Sequence, residues 1–267
     1  MSLRQFNPRR NRRRGIAPGA NRLLFGTLFI AIALQISYPL LHGEALRVVT
    51  VTTVYFAATA MLLHALYSYG NRYFFTYLPV TFLFGFLIEE IGVRTGWPFG
   101  EYQYSDSLGL RISHVPLVVP FAWIMMVHPV LIAARRVTSN WAFLYGGVLL
   151  MVWDLFLDPQ MVSAGRWSWK FDGAHVPFQP EIPLSNTAGW LLAGISIVGI
   201  LHLILPRERR KQAASSIAVD LFLAWTWFAG VVGNIFFFHR PAIGLVVGIV
   251  FLLAFLPYIF ARSVTGE

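Results

Sequence analysis

The sequence predicts an all-α integral membrane protein, a bundle of about eight transmembrane helices with two aromatic and acidic loops covering one end. Three observations predict it. The chain is 57% hydrophobic and only 12% charged, whereas a soluble domain carries about a quarter charged residues. Apolar runs recur at 23–41, 46–67, 73–93, 115–134, 141–157, 187–205, 217–238 and 242–261, each close to the roughly 20 residues a hydrocarbon core requires. The basic residues lie in short clusters between those runs, as membrane topology demands.

Taken in order, residues 1–22 form a basic tail with Arg9, Arg10, Arg12, Arg13 and Arg14. It reads as a cytoplasmic anchor beside acidic lipid headgroups rather than a nucleic-acid arm, despite the net charge of +9. No small-x-small cleavage site follows Leu41, so the first run is read as an uncleaved span. Residues 23–262 form one transmembrane domain with a motif-bearing core at 73–205, and 263–267 form a short C-terminal tail. The last two runs are separated only by His239-Arg240-Pro241. With the N-terminus inside, Arg47, Arg94, Arg111, Arg166, Lys170 and Arg240 are outside and the other fifteen of the 21 Lys and Arg are inside. Both termini are therefore expected in the cytoplasm of a multi-pass cell-membrane protein.

The acids sort the other way. Glu44, Glu89, Glu90, Glu101, Asp106, Asp154, Asp158, Asp172 and Glu181 fall at or beyond the outer ends of the runs, so the acidic site is expected toward the outer side. Intramembrane carboxylates cost about 2.5–3.5 kcal/mol each at mid-bilayer, which marks them as functional candidates. Two loops cover this end, 94–114 and 158–186. Gly100-Glu101-Tyr102-Gln103-Tyr104 in the first is matched by Gly165-Arg166-Trp167-Ser168-Trp169 in the second. Each follows an acid-ended span, a pattern that suggests a duplicated helix–loop–helix unit. The period-two aromatics place each pair on one face of an extended segment.

Asp154 and Asp158 are four apart and share a helix face. Two close carboxyls in apolar surroundings favour one that stays protonated, a proton donor for an unactivated substrate. The alternative is that Asp158 caps a turn before Pro159 while Asp154 pairs with a base on another helix. Glu90 and Arg94, also four apart, are expected to pair, leaving Glu89 as the freer acid. Trp153, Trp167 and Trp169 offer π faces to a cation, and Tyr102, Tyr104, Glu181 and Asn186 can orient water or relay a proton. The absences exclude other chemistry. There is no cysteine, hence no thiolate metal site or Cys nucleophile. No histidine pair at three- or four-residue spacing, no Gly-x-Gly-x-x-Gly and no nucleophile elbow occurs. Acid–base chemistry on an apolar substrate remains, with no metal and no cofactor.

Phe86-Leu87-Ile88-Glu89-Glu90-Ile91-Gly92 followed by Thr95-Gly96-Trp97-Pro98-Phe99-Gly100-Glu101-Tyr102-Gln103-Tyr104 resembles the membrane carotenoid 1,2-hydratases of the CruF type. Asp154-Leu155-Phe156-Leu157-Asp158-Pro159-Gln160-Met161 and Ile182-Pro183-Leu184-Ser185-Asn186 extend the resemblance, which covers roughly 80–195. It implies cofactor-independent addition of water to the terminal C1=C2 bond of an acyclic end group. The partners it implies are water, the lipid bilayer and a lycopene-, γ-carotene- or bisanhydrobacterioruberin-like carotenoid, without nucleic acid. Combined with the chemistry above, Asp154 first and Glu89 second would protonate C2, and Asp158 or Asn186 would hold the water. Two other enzymes stay open, a small lycopene cyclase using the same protonation and a prenyltransferase with Asp154 and Asp158 holding Mg²⁺-diphosphate. A transporter or assembly factor using the acids as a proton path is the non-enzymatic alternative.

Overall fold

The computed structural model describes residues 18–207 and 216–265. Most of the expected basic tail and the charged segment around Arg209, Arg210 and Lys211 lie outside them. Eight helices cross from end to end: α1 Pro18–Ser37, α2 Gly43–Tyr69, α3 Asn71–Thr95, α4 Val118–Val137, α5 Ala142–Ser163, α6 Leu184–Ile204, α7 Ile217–Val232 and α8 Pro241–Thr265. All eight are long and apolar enough to span a bilayer, α7 together with the π-helical turn Gly233–Phe237 that continues it. The chain is a multi-pass membrane protein. α1 begins at Pro18, so Arg22 belongs to its first turns rather than to the tail, and α8 extends to Thr265.

The apolar side chains divide between core and lipid. α4 is the central helix, with Trp123, Met126, Val130 and Leu131 fully enclosed. Leu203 and Phe260, on α6 and α8, are by contrast 81% and 70% exposed, as expected of side chains meant for hydrocarbon rather than water. α5 and α6 pack most intimately, because Gly147 and Gly194 let the two backbones touch. At the end away from the acids, Arg135 of α4 donates hydrogen bonds to Leu201, His202, Leu205 and Pro206 carbonyls. A cation there satisfies the open carbonyls at the C-terminus of α6.

α5 departs from expectation. The apolar run ends at 157, and one reading has Asp158 capping a turn before Pro159, yet α5 runs through Pro159 to Ser163. Proline removes the amide that would bond to the carbonyl four residues back, which is Leu155. Gln179 Nε2 donates to that Leu155 oxygen at 3.1 Å, so the buried carbonyl is satisfied from a distant strand. Asp158 is therefore inside a helix rather than capping a turn.

The two loops have the same order of elements. β1 Tyr102–Tyr104 precedes the hairpin β2 Arg111–Ile112 with β3 Val115–Pro116, and β4 Trp167–Trp169 precedes the hairpin β5 His175–Val176 with β6 Gln179–Pro183. β1 and β4 pair antiparallel with Tyr102 opposite Trp169, Gln103 opposite Ser168 and Tyr104 opposite Trp167. The two aromatic motifs thus meet about a local two-fold centred on Gln103 and Ser168. Glu89 and Asp154 each precede the first aromatic of their motif by the same interval, 102 − 89 = 167 − 154 = 13. The repeat suggested by sequence is realised as two halves facing each other.

Candidate active site

The site lies where α3, α4, α5 and α6 meet the paired strands. Glu89 is buried on α3 at 4% exposure. Its Oε2 accepts hydrogen bonds from Tyr102 Oη at 2.5 Å and Tyr104 Oη at 2.7 Å, and its Oε1 accepts one from Trp123 Nε1 at 3.1 Å. Burial, and then the Glu89 carboxyl beside them, raise the Tyr102 and Tyr104 hydroxyls well above the usual tyrosine range, so both remain donors.

Asp154 and Asp158 project from one face of α5, as their spacing requires, and both are buried. A single amide joins them: Asn186 Nδ2, in the first turn of α6, donates to Asp154 Oδ2 at 3.0 Å and to Asp158 Oδ2 at 2.5 Å. Trp167 Nε1 donates to Asp158 Oδ1 at 3.1 Å. Oδ1 of Asp154 accepts no hydrogen bond among the described residues. No Lys or Arg forms an ion pair with Glu89, Asp154 or Asp158 among the described residues. The expected alternative of a base for Asp154 gives way to an amide.

A cavity opens between the two groups. Its wall includes Glu89 and Asp158 on α3 and α5, Tyr102, Tyr104, Trp167 and Trp169 on the strands, and Trp123, Trp153, Asn186 and Trp190 on the helices. Asp154 does not contribute to the wall and acts on it through Asn186 and Asp158. Trp123 and Trp190 stack at 4.6 Å with planes 9° apart, and Trp153 meets Trp190 edge-on at 5.7 Å. Trp169 Nε1 is spent on the Phe99 carbonyl at 3.0 Å. With the N–H groups of Trp123, Trp167 and Trp169 paired, the cavity is lined largely by aromatic rings and their faces. Such faces stabilise positive charge by about 0.5–2 kcal/mol each.

Three expected site residues lie elsewhere. Glu90 points away from Glu89, as a residue 100° around the helix must, and its Oε1 takes Arg94 Nε at 2.6 Å, Ser113 Oγ at 2.8 Å and His114 Nδ1 at 3.0 Å. The expected Glu90–Arg94 pair is present, and it clamps the first loop to α3. Glu181 forms an ion pair with Arg240 at 3.5 Å, between β6 and the start of α8. Trp123, Trp190 and Phe99 were given no site role, although Phe99 falls within the motif Thr95 to Tyr104 and Trp190 lies four residues after Asn186. The signal at Trp123 was a lone indole within an apolar run, since a buried Trp N–H needs an acceptor.

Fold and site together define a multi-pass helical membrane protein with carboxyl groups buried in an aromatic cavity at one end. Residues 49–255 match the family of carotenoid biosynthesis proteins, and the chain belongs to that family. It is 27% identical over 233 residues to the bisanhydrobacterioruberin hydratase of Haloarcula japonica, covering 84% of this chain and 68% of that one. It is also 24% identical over 222 residues to cytochrome c oxidase subunit 3 of Pyricularia grisea, covering 76% of this chain and 74% of that one. No solved structure matches it.

Proposed function

We propose that this protein is a carotenoid hydratase, adding water across the terminal C1=C2 bond of an acyclic end group to leave a tertiary alcohol at C1. The observation that carries the reading is the placement of two buried carboxyl groups, Asp158 and Glu89, on the wall of one aromatic, otherwise apolar cavity. The likeness to a protein named as a hydratase supports it. Asp158, sharing one proton directly with Asp154 while Asn186 donates to both, protonates C2. The tertiary cation at C1 then faces the indoles of Trp123, Trp153 and Trp190, with Glu89 across the cavity to offset its charge. Water bonds to C1 and releases its second proton to Glu89, from which it returns to Asp158 through solvent. One π bond and one O–H bond of water are exchanged for a C–H and a C–O bond. The sequence is redox-neutral and its proton transfers are all assigned to carboxyl groups and water.

Expression in a lycopene-accumulating cell tests this directly. Extracted pigment gains the mass of one water per reacting end. Unchanged mass with altered retention and a shifted spectrum means cyclisation and overturns hydration. If lycopene is unaltered, the same assay with γ-carotene and bisanhydrobacterioruberin decides, and no mass gain on any of the three overturns the reading.

The site is proposed to open toward the outer face, with both termini cytoplasmic, because the basic residues concentrate at the opposite ends of the spans. Ser168 is exposed on β4, and the chain has no cysteine. A Ser168→Cys variant therefore carries one reporter thiol. Labelling by an impermeant maleimide in intact cells is expected, and labelling only after lysis would reverse the orientation.

A further inference from the structure

We infer that an apolar groove leading from the carboxylate cavity to the lipid-facing seam between α1 and α7 holds the polyene body of the substrate while its end group sits among the acids. This rests on the hydratase reading and adds a binding site to it.

The groove and the cavity are continuous. Thr50, Val54, Met125, Trp153, Leu157 and Met161 belong to the walls of both. Beyond Val54 the groove follows α7 from Trp225 to Phe237, roughly 18 Å at the helical rise. The helix wall ends in the π-helical turn Gly233–Phe237, an irregularity that recurs at functional sites. At the far end the wall residues Ile36, Phe228 and Phe237 are 56%, 49% and 46% exposed. Those side chains lie on the surface that meets lipid tails, so the groove opens sideways into the bilayer.

Three of its polar groups are turned to the protein, while Thr53 Oγ1 on the same wall has no hydrogen-bond partner among the described residues. Thr50 Oγ1 donates to the Leu46 carbonyl at 2.7 Å, Thr226 Oγ1 donates to the Phe222 carbonyl at 2.8 Å, and Trp225 Nε1 donates to Gln35 Oε1. The face left for a ligand is mainly hydrocarbon and aromatic. A phospholipid headgroup or a charged metabolite would find few partners there, whereas a conjugated hydrocarbon needs none. Continuity with the acids selects a molecule with a long apolar body and a reactive terminus. An acyclic carotenoid has that form.

Ala229→Phe and Val232→Phe narrow the groove on α7 without approaching the carboxyls. Purified full-length protein in lipid nanodiscs is assayed on lycopene and on a short acyclic isoprenoid with the same end group. Each variant is expected to lose about tenfold or more on lycopene while staying within about twofold on the short substrate. Equal loss on both substrates, or no loss on either, overturns the groove. Binding is read separately, as quenching of tryptophan emission by a polyene whose ends already carry the tertiary alcohol. Wild type should quench and Ala229→Phe should quench markedly less; identical quenching overturns the groove. Quenching by wild type without water addition to either substrate overturns the hydration reading and leaves the groove standing.

Discussion

Asp158→Asn and Glu89→Gln each lower water addition by about 10²-fold or more, the range expected when a positioned acid or base is removed. Both substitutions keep size and remove the exchangeable carboxyl proton. Each also disturbs a hydrogen-bond set that is fixed by geometry. Asp158 accepts from Trp167 on one oxygen and from Asn186 on the other, and an amide there leaves one of those donors facing an N–H. Glu89 accepts from Trp123 on one oxygen and from both tyrosines on the other. A glutamine keeps the tyrosines and loses the indole. Either mismatch costs about 1–3 kcal/mol of stability, too little to explain a complete loss of activity in a protein that still purifies as a folded species. Pigment mass reports activity, and thermal unfolding in detergent reports the fold. Asp154→Asn has a smaller effect, because that carboxyl stands behind Asp158 and does not line the cavity. Full activity in Asp158→Asn would remove that residue as donor, and a loss confined to Asp154→Asn would move the role to Asp154.

Gly194→Val destabilises the bundle by about 3 kcal/mol or more and abolishes activity with it. A Cβ at 194 would stand 2.9 Å from Gly147 Cα and 3.2 Å from Gly147 O, and one at 147 would stand 2.8 Å from the Ile195 backbone nitrogen. Backbone cannot step aside as a side chain can, so α5 and α6 must separate. In a membrane such close packing of small residues supplies much of the association energy between helices. The separation also carries Asn186 on α6 away from Asp154 and Asp158 on α5, which couples stability to the site. Gly199→Ala is the control, since its Cβ would meet only Phe143 Cβ at an ordinary 3.5 Å. A melting temperature for Gly194→Val near that of Gly199→Ala would contradict the close-contact account.

The local features of the site were legible in the chain. Asp154 and Asp158 share a face because four residues make roughly one helical turn, and the Glu90–Arg94 pair follows from the same spacing. The period-two aromatics read as extended segments, and β1 and β4 are strands. What stayed hidden depends on contacts across tens of residues. Asn186 bridges two acids 32 and 28 positions before it, and Trp123 reaches Glu89 from 34 positions away. A stop before Pro159 stayed open as an alternative because the donor that rescues the Leu155 carbonyl comes from β6, 24 residues downstream.

The sequence by itself determined eight spans, the gathering of acids at one end and the two aromatic motifs, because hydropathy, charge and residue period act locally along the chain. Only the tertiary structure decided which acids face the cavity. Glu89 and Glu90 are adjacent in sequence, yet one is enclosed by two phenols and an indole and the other is held by Arg94 and His114 at the rim. The physical reason is that the chemistry of a carboxyl group in a membrane is set by the donors and rings packed around it, and those arrive from other helices.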